Sequence, residues 1–221
     1  EAGNLARNEE RLSSLVEKLA TIIAKQRKEE EAAEAKKRAQ QAKEAAARER
    51  DNAKTNAKTR SSGKPAPAMA KDNPKNSNDE AVAVPVLRDE SAFASLRGKL
   101  HMPVKGELFA SFGTRRADGP SWKGLFIKAS EGAEVRAVAA GEIIFADWMR
   151  GFGNLLVIDH GGQYMTIYGN NQSLLKRPGD KLKAGDVIAT VGNSGGNEQS
   201  GLYFGMRYQG RAIDPSSWMN R

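Results

Sequence analysis

The placement of aromatic residues divides this chain before any motif is read. All three Trp, all four Tyr and every Phe except Phe93 lie beyond residue 100, and the first 92 residues contain no aromatic residue at all. Large apolar and aromatic side chains supply most of the area that a core buries. Only the C-terminal part can therefore build one, and the chain reads as three stretches: a helical segment over 1–50, a low-complexity linker over 51–96 and a folded domain over 97–221.

In the first stretch Leu5, Leu12 and Leu19 recur every seven residues, with Leu15 and Ile22 between them and Val16 and Ile23 widening the stripe. That pattern predicts an amphipathic or coiled-coil helix that needs an apolar partner surface. From 25 to 50 the stripe vanishes while Ala, Glu, Lys, Gln and Arg keep helix propensity high, which predicts a solvated extension. Pro65, Pro67 and Pro74 then stand among Asn, Ser, Thr and Lys, with almost nothing to bury. The expectation is a disordered or extended linker, whose roughly thirty residues could reach on the order of 100 Å when stretched. Val82, Val84, Val86 and Leu87 around Pro85 form a small apolar patch that could lie against a surface.

The last stretch alternates short apolar runs with glycine turns. Candidate strands are 125–128, 134–139, 142–147, 155–159, 164–168, 187–191 and 202–208, punctuated by Gly132, Gly141, Gly153, Gly161, Gly162, Gly179 and Gly185. Strands at this spacing, with no long helices between them, predict a mainly β, antiparallel domain.

Charge and composition narrow the function classes. The net charge is +8, spread evenly over both halves of the chain, so the concentrated basic footprint of a nucleic-acid binder is missing. An anionic wall polymer or a membrane surface would still attract such a chain. The absence of Cys is compatible with an oxidising compartment. No apolar run approaches the ~18 residues of a spanning helix, and no signal-peptide pattern opens the chain, so an export signal is expected upstream of Glu1. A catalytic zinc needs about three ligands from Cys, His, Asp or Glu. The chain has two His: His101, two residues before Pro103, and His160 in Asp159-His160-Gly161-Gly162, expected to be a turn. Neither has a second His at ligand spacing, so neither a zinc site nor any cofactor is expected.

Val104-Lys105-Gly106, Phe112-Gly113, Ala129-Ser130-Glu131-Gly132, Ala139-Ala140-Gly141, Tyr168-Gly169, Val191-Gly192-Asn193-Ser194-Gly195-Gly196 and Leu202-Tyr203-Phe204 resemble the scaffold motifs of the LytM-type zinc metallopeptidase domain. That family cuts peptidoglycan cross-links through three signatures, and each is altered here. His-x-Gly-x-Asp reads Trp122-Lys123-Gly124-Leu125-Phe126, Tyr-x-His reads Tyr168-Gly169-Asn170, and His-x-His-Phe reads Gly201-Leu202-Tyr203-Phe204. The ligand and catalytic positions thus hold Trp122, Phe126, Asn170, Gly201 and Tyr203, and the resemblance implies a scaffold without the reaction. Trp122 could fill the space the metal vacated.

The Trp122-Lys123-Gly124 replacement, Ala146-Asp147-Trp148 and the ending Asp214-Pro215-Ser216-Ser217-Trp218 resemble most the degenerate EnvC-like members, periplasmic activators of cell-division amidases. The layout of coiled coil, charged helix and linker matches them too. The resemblance implies that the former groove docks an AmiA/AmiB-like N-acetylmuramoyl-L-alanine amidase through Lys123, Phe126, Phe152, Leu155, Tyr203 and Arg207. Tyr203 and Arg207 share a strand face, and aromatics with Arg are common in interface hot spots. Phe126, Phe152 and Leu155 could equally be ordinary core residues, whereas Lys123 and Arg207 are costly to bury. The resemblance also implies a septal, Gram-negative periplasmic location, engagement of FtsE–FtsX by the coiled coil, and an arm able to cover the groove, which Leu12, Leu15, Leu19 and Ile22 could supply. The alternative is a module that holds peptidoglycan itself in the old groove.

Overall fold

The computed structural model describes residues 2–59, 90–116 and 119–220. Helix α1 (Ala2–Thr59) runs past the expected boundary at 50, through a stretch with neither Gly nor Pro to break it. The chain forms two compact units, one of Glu1–Thr21 with Val84–Arg221 and one of Ile22–Ala83, so α1 belongs to both. In the second unit nearly every side chain over 24–50 is exposed, and Lys25 and Glu29 pair across one turn. Pro65, Pro67, Pro74 and the patch at Val82, Val84, Val86 and Leu87 lie outside the described residues.

The C-terminal domain is an antiparallel sheet with a short helix α2 (Glu90–Ala94) ahead of it. Its strands are β1 (Glu107–Ala110), β2 (Leu125–Lys128), β3 (Glu134–Arg136), β4 (Gly141–Met149), β5 (Gly153–Gly161), β6 (Tyr164–Leu174), β7 (Lys181–Leu182), β8 (Val187–Val191), β9 (Gly201–Tyr208) and β10 (Arg211–Ile213). The main order is β1-β2-β9-β6-β5-β4-β7, with β10 on β9 and the β3–β8 pair joined through β6. Every pairing between these strands is antiparallel. Strands 125–128 and 187–191 match the sequence reading residue for residue, while β5 and β6 are longer than expected. The β5–β6 turn explains one end of that extension. Gly161, Gly162 and Gln163 all have positive φ, which lets the chain reverse directly after paired backbone.

His160 therefore lies in β5 and is fully buried, not in a surface turn. Its Nδ1 is 2.7 Å from the Ala140 carbonyl and its Nε2 2.7 Å from Thr166 Oγ1, which lies 3.1 Å from the Tyr168 hydroxyl. A neutral imidazole that donates from Nδ1 and accepts at Nε2 satisfies this network. Burial lowers its pKa to about 4, against the opposing pull of the Ala140 carbonyl. Phe93 of α2 stacks on this ring at 4.7 Å and packs beside Tyr164 and Trp218. The short helix thus closes the domain's own core.

Strand alternation gives the sheet two buried faces. Leu202, Phe204 and Met206 of β9 point into the main core, together with Leu125, Ile127, Leu156, Ile158 and Tyr168. Tyr203, Gly205 and Arg207 point the other way. On that second face lie Phe126, Leu155, Val157, Met165 and Ile167, all buried yet outside the main core cluster.

Candidate functional site

The second face is a trough across four strands. Phe126 of β2 sits opposite Tyr203 of β9, Tyr203 opposite Gly169 of β6, and Met165 of β6 opposite Arg207. Glycine makes the floor low at two points. A side chain at Gly169 would press on Leu155 and Tyr203, and one at Gly205 would meet Tyr203 and Arg207. Lys123, half-buried, stands on the loop before β2, and its carbonyl accepts from Arg207 Nη1 at 3.2 Å. Phe152, from the β4–β5 hairpin tip, places its ring 5.1 Å from that of Tyr203. The fold thus brings all six expected docking residues to one face, with their sequence positions spread over more than eighty residues.

That trough is occupied by the protein's own α1. Leu12 and Val16 are wholly buried, Leu19 is 9% exposed and Glu9 3% exposed. Asn8 packs on Gly151 at the β4–β5 tip, and Glu17 lies against Gly210 at the β9–β10 turn, which fixes the course of the helix across the sheet. The buried row of Glu9, Leu12, Val16 and Leu19 follows 3-4-3 spacing, one stripe of a 3.6-residue helix. The expected arm of Leu12, Leu15, Leu19 and Ile22 is corrected by this geometry: Leu15 is only half-buried and Ile22 is 52% exposed. Leu15 and Val16 lie on opposite sides of the Leu12–Leu19 line, and the helix docks with the Val16 and Glu9 side on the sheet. Arg207, expected to resist burial, is 1% exposed because α1 covers it and carbonyls of Lys123 and Met206 accept from its Nη1.

The positions that the resemblance aligns with ligand and catalytic residues are filled by packed, hydrogen-bonded side chains. Asn170 has φ 67° and is buried; its Nδ2 donates to the carbonyls of Gly192 and Gly201, while its Oδ1 accepts from Gly195 N and Asn197 Nδ2. All of its capacity is spent on clamping loops. The Phe126 ring lies where a Cβ on Gly201 would need to be, 2.7 Å away, and the Tyr203 ring rests over Gly124. Trp122, half-buried, packs on Phe126 at 5.8 Å and carries the Arg116 guanidinium 3.9 Å above its ring. It walls the groove next to the helix. Among the described residues no three His, Cys, Asp or Glu side chains converge.

Two residues that sequence reasoning passed over meet at the centre. Glu9 of α1 accepts from Arg116 at 3.1 Å, with both side chains largely removed from water. Burial raises the Glu9 pKa above the ordinary carboxylate range, opposed first by Arg116 and then by Arg207 and Lys123. Burial likewise pushes the Tyr203 hydroxyl up to about 12, with Arg207 offsetting part of the effect. The only sign of Glu9 in the sequence is an acid standing between Leu5 and Leu12 on a stripe that is otherwise apolar.

Residues 120–215 match the model of Peptidase family M23. Over 125 residues the chain is 44% identical to the murein hydrolase activator EnvC of Escherichia coli, covering 57% of this chain and 30% of that relative. Over 118 residues it is 33% identical to the murein hydrolase activator NlpD of the same organism, covering 53% of this chain and 30% of the relative. The chain thus spans about a third of the length of these curated relatives. A putative M23 peptidase of Pseudomonas aeruginosa has the same fold, with a TM-score of 0.50 at 19% identity over 59% of this chain and 58% of that one.

Proposed function

From an M23 domain similar to those of murein hydrolase activators, we propose that this chain is a non-catalytic activator of a peptidoglycan amidase, which it binds through the trough of Lys123, Phe126, Phe152, Leu155, Tyr203 and Arg207. One observation carries the reading. A groove lined by packed aromatic and basic side chains is covered by a helix of the same chain, and that cover has the chemistry of a protein ligand. Helix-in-groove docking is a common mode of protein recognition. The reaction belongs to the partner, an AmiA/AmiB-like N-acetylmuramoyl-L-alanine amidase in the Gram-negative periplasm at the division septum.

In this reading residues 2–21 restrain the groove, and the amidase binds once the helix leaves. Fully burying a Leu or Val side chain contributes roughly 1.5–3 kcal/mol, so Leu12 and Val16 give the closed state real weight. A signal must shift that balance by a few kcal/mol. The FtsE–FtsX complex, acting on the helix beyond Ile22, is the source we assign to that signal.

A mixing assay tests the proposal: purified chain and amidase on dye-labelled sacculi, with dye release as the readout. The chain alone should release nothing, and the mixture should exceed the amidase alone. Tyr203→Ala should cut the excess roughly thirtyfold well below saturation while the domain keeps most of its stability. If the chain instead pulls down sacculi through the groove and leaves the amidase unchanged, the peptidoglycan-binding reading takes its place.

A further inference from the structure

The contact between α1 and the sheet loosens at the start of the helix. A cavity of about 140 Å³ lies between Leu5, Asn8 and Glu9 of α1 and a wall formed by Trp122, Phe126, Phe152 and the loop 195–197. The three helix residues are spaced i, i+3 and i+4, so they share one face. An enclosed cavity of similar size takes up a benzene ring, so this one suits a molecule of about four to six heavy atoms.

The wall is mixed in character, and its charge is unbalanced. Leu5, Trp122, Phe126 and Phe152 give it apolar sides, while Asn8 of α1 and Asn197 of the β8–β9 connection add amides. A single carboxylate, Glu9, stands among three cations: Arg116 is bonded to it at 3.1 Å, and Arg207 and Lys123 also act on it. Arg116 and Tyr203 line the cavity, and Arg116 Nε and the Tyr203 hydroxyl are buried donors with no hydrogen-bond partner. Arg207 Nη2, on the Tyr203 face of β9, has none either. Unmatched positive charge in an enclosed site is costly, and a small anion offsets it.

We infer that this cavity is a binding site for a small aliphatic monocarboxylate of about the size of butyrate, with its carboxylate on Arg116 and its chain against Trp122, Phe126 and Phe152. A guanidinium carries enough donors for Glu9 and a second carboxylate together. Phosphate has no apolar body to cover the aromatic walls, and an amine adds to the positive charge. Because α1 supplies part of the wall, the ligand binds the closed chain in preference to the open one and holds the arm down by linkage. That effect on activation rests on the proposed function; the site itself does not.

Binding is read on the full chain from the Trp122 indole signal in 1H–15N spectra, identified with Trp122→Phe. Sodium butyrate is the probe, against sodium chloride at equal ionic strength. Butyrate should shift the signal saturably, and butyramide, which has the same shape without the charge, should bind at least about tenfold more weakly. Leu5→Trp, which fills the cavity from the helix side and leaves every charged group in place, should abolish the shift. Opening the arm by Leu12→Asp with Val16→Asp should abolish it too. In the amidase assay well below saturation, butyrate at about ten times its dissociation constant should lower activation by the full chain about tenfold, and activation by the opened chain should not respond. If butyrate and butyramide bind alike, or if neither moves the signal, the carboxylate site is overturned while activation through the groove stands. If butyrate binds the opened chain as well as the closed one, the arm is no part of the site and the inference falls. If butyrate binds only the closed chain and activation does not change, the site stands and the restraint assigned to α1 in the proposed function falls.

Discussion

Strand β9 presents two faces that are buried to the same extent and for opposite reasons. Leu202, Phe204 and Met206 are enclosed by the domain's own strands, whereas Tyr203 and Arg207 are enclosed by a helix from the far end of the chain. Burial alone does not separate them; what differs is whether the cover can leave. The core face should answer for whether the domain exists, and the groove face for what it binds.

The sharpest way to break this comparison is to truncate neighbours on the two faces. Phe204→Ala should cost about 3–5 kcal/mol of domain stability, as for other buried Phe, read from urea unfolding. Tyr203→Ala should spare most of that stability and instead remove on the order of 2 kcal/mol of amidase binding. Equal loss of stability in both variants would place Tyr203 in the core.

Acid should then act on the two faces in opposite directions. On the core face the His160 pKa falls from the ordinary 6.5 to about 4 in the folded domain. The unfolded chain binds the proton more readily, so stability is whole above pH 6.5 and is lost as pH falls towards 4, by on the order of 3 kcal/mol. The urea midpoint measured against pH should show this slope, and His160→Gln should flatten it.

The arm offers the next largest effect. Leu12→Ala should remove about 2 kcal/mol of closure and raise the open fraction roughly thirtyfold while that fraction is small. Amidase activation measured well below saturation should rise accordingly, with the unfolding midpoint of the domain little changed. If activation does not move, α1 is not the restraint.

Positions 126 and 201, which meet across β2 and β9, give a test of coupling. Gly201→His alone should destabilise by roughly 1–3 kcal/mol, because its Cβ meets both the Ile127 carbonyl oxygen and the Phe126 ring, of which a change at 126 relieves only the second. Combined with Phe126→Asp, the cost should be less than the sum of the single changes. Additive losses in the cycle would mean that the two positions do not share the space.

The smallest effect is the response of the groove face to pH. Burial raises the Glu9 pKa against the pull of Arg116, Arg207 and Lys123, so the docked arm holds its proton more tightly than the free one. Closure should be strongest below pH 4.5 and weaken as pH rises through the raised value. Activation by the full chain should therefore fall on mild acidification relative to the opened variant, and Glu9→Gln should remove that difference.

Much of the fold was legible because its signals are local. Glycine turns and runs such as 125–128 and 187–191 locate strands without reference to their partners. Short β7 and β10 escaped notice, since strands of two and three residues are set by their neighbours and carry no period of their own. The resemblance named Trp122, Phe126, Asn170, Gly201 and Tyr203 residue by residue. The structural roles of those residues were not legible: Asn170 becomes a clamp only because the β8–β9 connection and the start of β9 fold onto its amide.

By itself, the sequence determined that the core lies after residue 92, that the domain is a β-sheet and that the first helix has an apolar stripe needing a partner. The tertiary structure decided which face of that helix is used, what it covers and which charge meets it. Glu9 and Arg116 are 107 residues apart in the chain. Periodicity describes what a segment can present to a partner, but the partner is chosen by long-range packing, where shape, desolvation and charge are settled together.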